Sequence, residues 1–161
     1  MTPHYSTSVP FTGNAKRALA VAQSTLLASN FVVVSSSETS LQVKGRGTTS
    51  TRENPLRGMT EGTFIVRNSA IEVSAVLGGA QWLKNFLRIM PLAMAGLFII
   101  IFGIIAIFSP VFRRWWIFLI PIAALSPWAI LAPVLGRSME TRTTGAIDDL
   151  ISNMVMLGST D

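Results

Sequence analysis

The chain has 161 residues, room for one small soluble domain once membrane segments are set aside. Its charged fraction of 13% is about half the ~25% usual in soluble domains, and 50% of its residues are hydrophobic, a composition that points to lipid. The net charge of +5 is only mildly basic, and with no cysteine the chain has no disulfides, no thiolate catalysis and no cysteine-ligated metals.

Residues 1–12, MTPHYSTSVPFT, are rich in Ser, Thr and Pro and read as an extended lead-in. Residues 13–88 read as a small α+β domain. Between Gly13 and Ser29 the residues Ala15, Ala18, Leu19, Ala22 and Leu26 repeat at the spacing of one helical face, with Lys16, Arg17 and Gln23 off it. Asn30 is a helix stop. FVVV, from Phe31, opens a β region, and SLQVKG alternates, placing Leu41 and Val43 on one face and Gln42 and Lys44 on the other. The intervening SSSET supplies a turn. After a loop carrying TRENPLRG, TFIVRNSAIEVSAVL reads as a second hairpin. Phe64 and Val66 share one face of its first strand, and Ile71, Val73, Ala75 and Leu77 one face of its second. Asn68 and Ser69 form the turn. A helix and two hairpins predict an antiparallel sheet with the helix on one side, close to the lower size limit for a self-sufficient core.

Two apolar runs follow. Residues 89–112 and 115–136 lack any charged side chain, and each is long enough to cross a hydrocarbon core, which takes ~20 helical residues. The expectation is a transmembrane hairpin whose turn is Arg113 and Arg114, with Ser109-Pro110 closing the first helix. Arg113, Arg114, Trp115 and Trp116 then anchor one interface, and Trp82, Lys84 and Arg88 the other. Lys84, Arg88, Arg137 and Arg142 on the terminal side outnumber Arg113 and Arg114 in the turn, and no charged segment followed by an apolar one opens the chain. Both termini are therefore expected in the cytoplasm, in a multi-pass protein of the cell (plasma or inner) membrane. Small residues at matched depth predict close helix packing: Gly103 opposite Ala123 or Ala124, Gly96 opposite Ala129 to Ala132, and Ala132 with Gly136 as a further small pair. Neither run holds an ionisable residue, which argues against ion-coupled transport. Pro121, Pro127 and Pro133 point around three directions and predict a kinked packing helix.

The tail, residues 137–161, carries Ile147, Leu150, Ile151, Met154 and Leu157 on one stripe, predicting an amphipathic helix from Thr144 to Leu157 with Thr143 or Thr144 as its N-cap. Asp148 and Asp149 would then sit near its first turn, where the helix dipole favours acids. Since its apolar stripe must be covered, the helix is expected to dock on the N-terminal sheet.

Little in the chain speaks of catalysis. The one histidine, His4, lies in the lead-in, so neither a histidine-centred triad nor a histidine metal site is expected. GRGTTSTRENPLRG looks like a phosphate cradle but lacks the helix and lysine that such a loop needs. Lys44, Arg46, Arg52 and Arg57 are instead read as a basic patch that contacts anionic lipid headgroups. The basic excess is small and no aromatic platform interleaves with it, so nucleic acid is not an expected partner.

The expected function is non-enzymatic: a two-pass integral membrane protein that anchors a small cytoplasmic domain for interaction with a protein partner or assembly with itself. No cofactor or small-molecule substrate is implied. The alternatives are a small oligomeric channel or carrier built on the proline-rich second helix, or an enzyme completed only by partner subunits.

Overall fold

Alternation along SLQVKG buries Leu41 and Val43 and exposes Gln42 and Lys44, and this two-residue period organises the middle of one antiparallel sheet. The computed structural model describes residues 4–47, 53–108 and 119–159. The strands are β1 (His4–Pro10), β2 (Val32–Ser36), β3 (Ser40–Lys44), β4 (Glu61–Arg67) and β5 (Ala70–Val76), in the spatial order β1-β5-β4-β3-β2. The helices are α1 (Ala15–Ala28), α2 (Gly78–Phe108) and α3 (Leu119–Gly158). The α+β class and both hairpins, β2 with β3 and β4 with β5, are as read from the sequence. The lead-in is more than extended chain: its residues form the fifth strand, paired with β5 from His4↔Val76 to Pro10↔Ala70.

Each hairpin follows from its turn. Ser37 Oγ accepts the Ser40 backbone N–H at 2.9 Å, closing β2 onto β3. Arg67 pairs with Ala70, so Asn68 and Ser69 make a two-residue loop, with φ of 52° and 57°. Positive φ at both central residues matches the twist of the strands but strains a serine. Ser69→Gly is expected to raise stability by up to about 1 kcal/mol, read as a higher melting temperature. An unchanged or lower melting temperature would mean that Ser69 is not strained.

Rows of paired residues build the core. Tyr5, Ala75, Gly62, Val43 and Val33 form one cross-sheet row, and Thr7, Val73, Phe64 and Leu41 the next. Phe64, Leu41 and Val73 are almost wholly buried. A Cβ on Gly62 would lie 3.0 Å from Met59 Sδ, so the glycine leaves space for the buried Met59 over the sheet. The opposite face is polar and open, with Ser6, Ser8, Gln42, Lys44, Glu72 and Ser74 exposed.

Two helices share the apolar face. Asn14 caps α1 by accepting the Arg17 N–H at 3.2 Å. The predicted stripe Ala18, Leu19, Ala22 and Leu26 is buried, with Ala15 at its margin. Asn30, at φ 65°, ends the helix: its N–H reaches Leu27 O and that of Phe31 reaches Leu26 O, a Schellman closure. Beside α1 lies the C-terminal part of α3, with Ile147, Leu150, Ile151 and Met154 buried and Gly158 O accepting the Asn14 N–H at 2.9 Å. The tail helix thus docks on the chain's own sheet, on the same face as α1, and Leu157 stays 41% exposed, off the buried stripe.

α3 has no break at Thr143 or Thr144, so neither is a cap. Thr143 is a fully buried interior residue whose hydroxyl donates to Pro55 O at 3.1 Å, on the short 3₁₀ turn Pro55–Gly58. Asp148 and Asp149 therefore sit far inside the helix, where the dipole of its N-terminus does not reach. The segment read as a separate tail continues the helix that begins at Leu119.

The chain divides into two compact units, Met1–Trp82 with Ser138–Asp161, and Leu83–Arg137. The first is the sheet with its two covering helices. The second contains most of α2 and the start of α3. Among the described residues α2 is the one helix long and apolar enough to cross a membrane, over Gly78–Ile105. Its apolar window is 0% buried, and Ile89, Leu92, Leu97, Ile99, Ile100 and Ile104 are exposed, unlike a soluble core helix of equal hydrophobicity. The proposed turn at Arg113 and Arg114, with Ser109, Pro110, Trp115 and Trp116, lies outside the described residues.

Candidate functional site

The strand register places His4, Val76, Glu61, Lys44 and Val32 in one row at one end of the sheet. From this end Leu77 leads directly from β5 into α2. The buried Thr143 of α3 meets the Pro55–Gly58 turn, just before β4 starts at the same end. Gly58 allows the contact, since a Cβ there would fall 2.3 Å from Thr143 Oγ1. A Cβ on Gly78 would likewise lie 2.5 Å from Thr60 Cγ2, so only glycine lets α2 begin so close to β4.

Beside this row opens a cleft of about 840 Å³, between the end of α1 and the strands β2 and β3. Its floor is apolar: Phe31 is 4% exposed and Met59 fully buried. Gly45 fits Phe31 closely, because a Cβ there would be 2.5 Å from its ring. The rim carries Lys44, Arg46 and Arg57 together with the exposed Leu27, Val32 and Val34. Lys44 Nζ stands 3.6 Å from Glu61 Oε1, an exposed pair of the kind worth about 0–1 kcal/mol. No ion pair to Arg46 or Arg57 is found among the described residues.

Three of the four basic residues singled out in the sequence therefore line one cleft, and Arg52 lies outside the described residues. Of the interfacial set, Trp82 and Arg88 are exposed on α2. Of the packing set, Gly136 is buried against the Lys84 stem, with a built Cβ 3.6 Å from Lys84 Cγ. No described atom comes within 4 Å of a Cβ on Gly96 or Gly103. Ala123 is exposed and Ala132 half-buried, and the side chain of Ala124 lies outside the described residues. Pro127 and Pro133 are inside α3, and Pro91 is inside α2. Among the described residues no three His, Asp or Glu side chains gather as metal ligands do.

The sequence reading missed a polar clasp between β1 and α3. Tyr5 donates its hydroxyl to Asp148 Oδ1, across 143 positions of chain. Burial pushes the Tyr5 phenol above the ordinary tyrosine value, and the Asp148 carboxylate pushes it further through the hydrogen bond and its charge. A folded-state value above the unfolded one means that the contribution is fully present below about pH 10 and is lost as pH rises through the raised value. Tyr5 is the only tyrosine, so absorbance of the phenolate reads this titration without overlap. Asp148→Asn is expected to lower the midpoint without restoring the ordinary value, since burial is the larger cause; an unmoved midpoint would show that the clasp does not form.

The fold thus defines an α+β domain joined to a helix capable of crossing a membrane. No protein-family model matches the chain, and no curated protein or solved structure matches it. Charge separates the two units. The charged residues of 83–137 are Lys84, Arg88, Arg113, Arg114 and Arg137, all basic, so this segment accounts for the chain's +5 and the rest is formally neutral.

Proposed function

We propose that the chain is a two-pass integral membrane protein that holds its α+β domain at the cytoplasmic face of the cell membrane, for assembly with a protein partner or with a second copy, and catalyses no reaction. The observation that carries this reading is the exposed apolar surface of α2, a surface suited to lipid and costly in water. The second apolar run, 115–136, supplies the return pass. The charged residues nearest the two runs, Lys84, Arg88, Arg113, Arg114 and Arg137, are all basic and fit the headgroup layers on either side. A neutral, well-packed domain tethered in this way suits binding, and its open polar sheet face leaves room for a partner.

The test has two readouts. Reporter fusions at residues 1 and 161 are expected to give cytoplasmic signals, and an external signal from either end overturns the topology. Crosslinking in native membranes followed by detergent purification is expected to retain a stoichiometric protein partner or a dimer. A purely monomeric chain overturns the assembly reading.

A further inference from the structure

The feature that anchoring alone leaves unexplained is the mixed character of the cleft rim. Arginines and exposed aliphatic side chains stand together at the sheet end from which the chain runs into α2. We propose that this corner is a lipid-headgroup contact: Arg46 and Arg57 bind phosphates of anionic phospholipids in the membrane that holds the chain, while Leu27, Val32 and Val34 enter the interfacial layer. This rests on the membrane reading above.

The chemistry of the cleft selects the occupant. A free phosphate or nucleotide seeks backbone N–H groups at a helix N-terminus, but α1 presents its C-terminal end here, where the dipole is negative and Asn30 and Phe31 already close the helix. The floor of Phe31 and Met59 offers an anion no donor. Phosphate therefore belongs at the rim, within reach of the arginines. Val32, at 67% exposure, and Val34, at 63%, need an apolar neighbour beside that phosphate. A bilayer surface presents both at once, phosphate above and acyl chain below. Lys44 is partly satisfied by Glu61, which leaves the two arginines as the main cations of the site.

The chain has no cysteine, so Val32→Cys gives a single attachment point for an environment-sensitive fluorophore. The labelled full-length protein is reconstituted in vesicles of phosphatidylcholine, alone or with phosphatidylglycerol, that contain a lipid-borne quencher. Quenching is expected to be strong in the anionic vesicles, weak in the neutral ones and reversed by salt, whereas a label at Glu72→Cys on the open sheet face stays unquenched in both. Arg46→Gln with Arg57→Gln is expected to lower the lipid-bound population about fivefold per arginine. Both side chains are solvent-accessible, so a circular dichroism spectrum matching that of the parent shows that the loss is not unfolding. Quenching that is absent, or indifferent to the arginines, overturns the proposal. Release of the label by inorganic phosphate, but not by chloride of equal ionic strength, also overturns it and marks a site for a soluble anion. Carbonate extraction of the same vesicles separates the two readings: a retained chain with an unquenched label sinks only the headgroup contact, and an extracted chain sinks the membrane anchor and this contact together.

Discussion

Deleting residues 144–161 should unfold the sheet domain. The deletion removes Ile147, Leu150, Ile151 and Met154, all but fully buried on the face that α1 only partly covers. Each such side chain contributes about 1.5–3 kcal/mol, so the set contributes roughly 6–12 kcal/mol, against a total stability of about 5–15 kcal/mol for a whole domain. The deletion also leaves the Asn14 N–H without Gly158 O and Tyr5 without Asp148. Limited proteolysis in detergent is the measurement: cuts should appear throughout residues 15–76 in the truncated protein and be absent from the full chain. The graded version, Leu150→Ala, should lower stability by about 2–5 kcal/mol without abolishing folding. A truncated chain as resistant as the parent would mean that α1 alone suffices to cover the sheet.

What the sequence made legible was whatever a periodic apolar pattern encodes. Leu41 with Val43, Ile71 with Val73 and Ala75, and the Ala18 to Leu26 stripe are buried as the period requires. The edge strand β1 escaped because its alternation, Tyr5, Thr7 and Val9 against Ser6 and Ser8, is short and only weakly apolar: its place is set by backbone pairing with β5, and those three residues turn toward the core side. Its proline ends the strand at a sheet edge, a position proline tolerates.

The unbroken α3 was hidden for a different reason. Its character changes near Arg137, from apolar all round to a single stripe, and a change of pattern resembles a change of element. A threonine at that change of pattern resembles a cap. Thr143 instead spends its hydroxyl on Pro55 O, a partner that only the fold brings near. The candidate site was half legible: its cations were visible as a basic loop, but their meeting with Leu27 and Val32 depends on where α1 ends and β2 begins.

The largest effect on the whole protein should come from the middle of α2. Ile99 and Ile100 are both exposed, so replacing them with arginine removes little packing from either unit. In a bilayer the same change is severe, because each arginine at mid-helix costs about 2.5–3.5 kcal/mol of insertion free energy, or roughly 5–7 kcal/mol for the pair. Ile99→Arg with Ile100→Arg should therefore abolish retention of the chain in carbonate-washed membranes, while Lys16→Arg, far from α2 in sequence, should leave it unchanged. The opposite reading makes the opposite forecast. If α2 faced water, its apolar surface would drive aggregation, and two arginines would give a more soluble protein with no membrane fraction to lose. A double variant that stays in the membrane pellet like the parent would show that α2 does not carry the anchor.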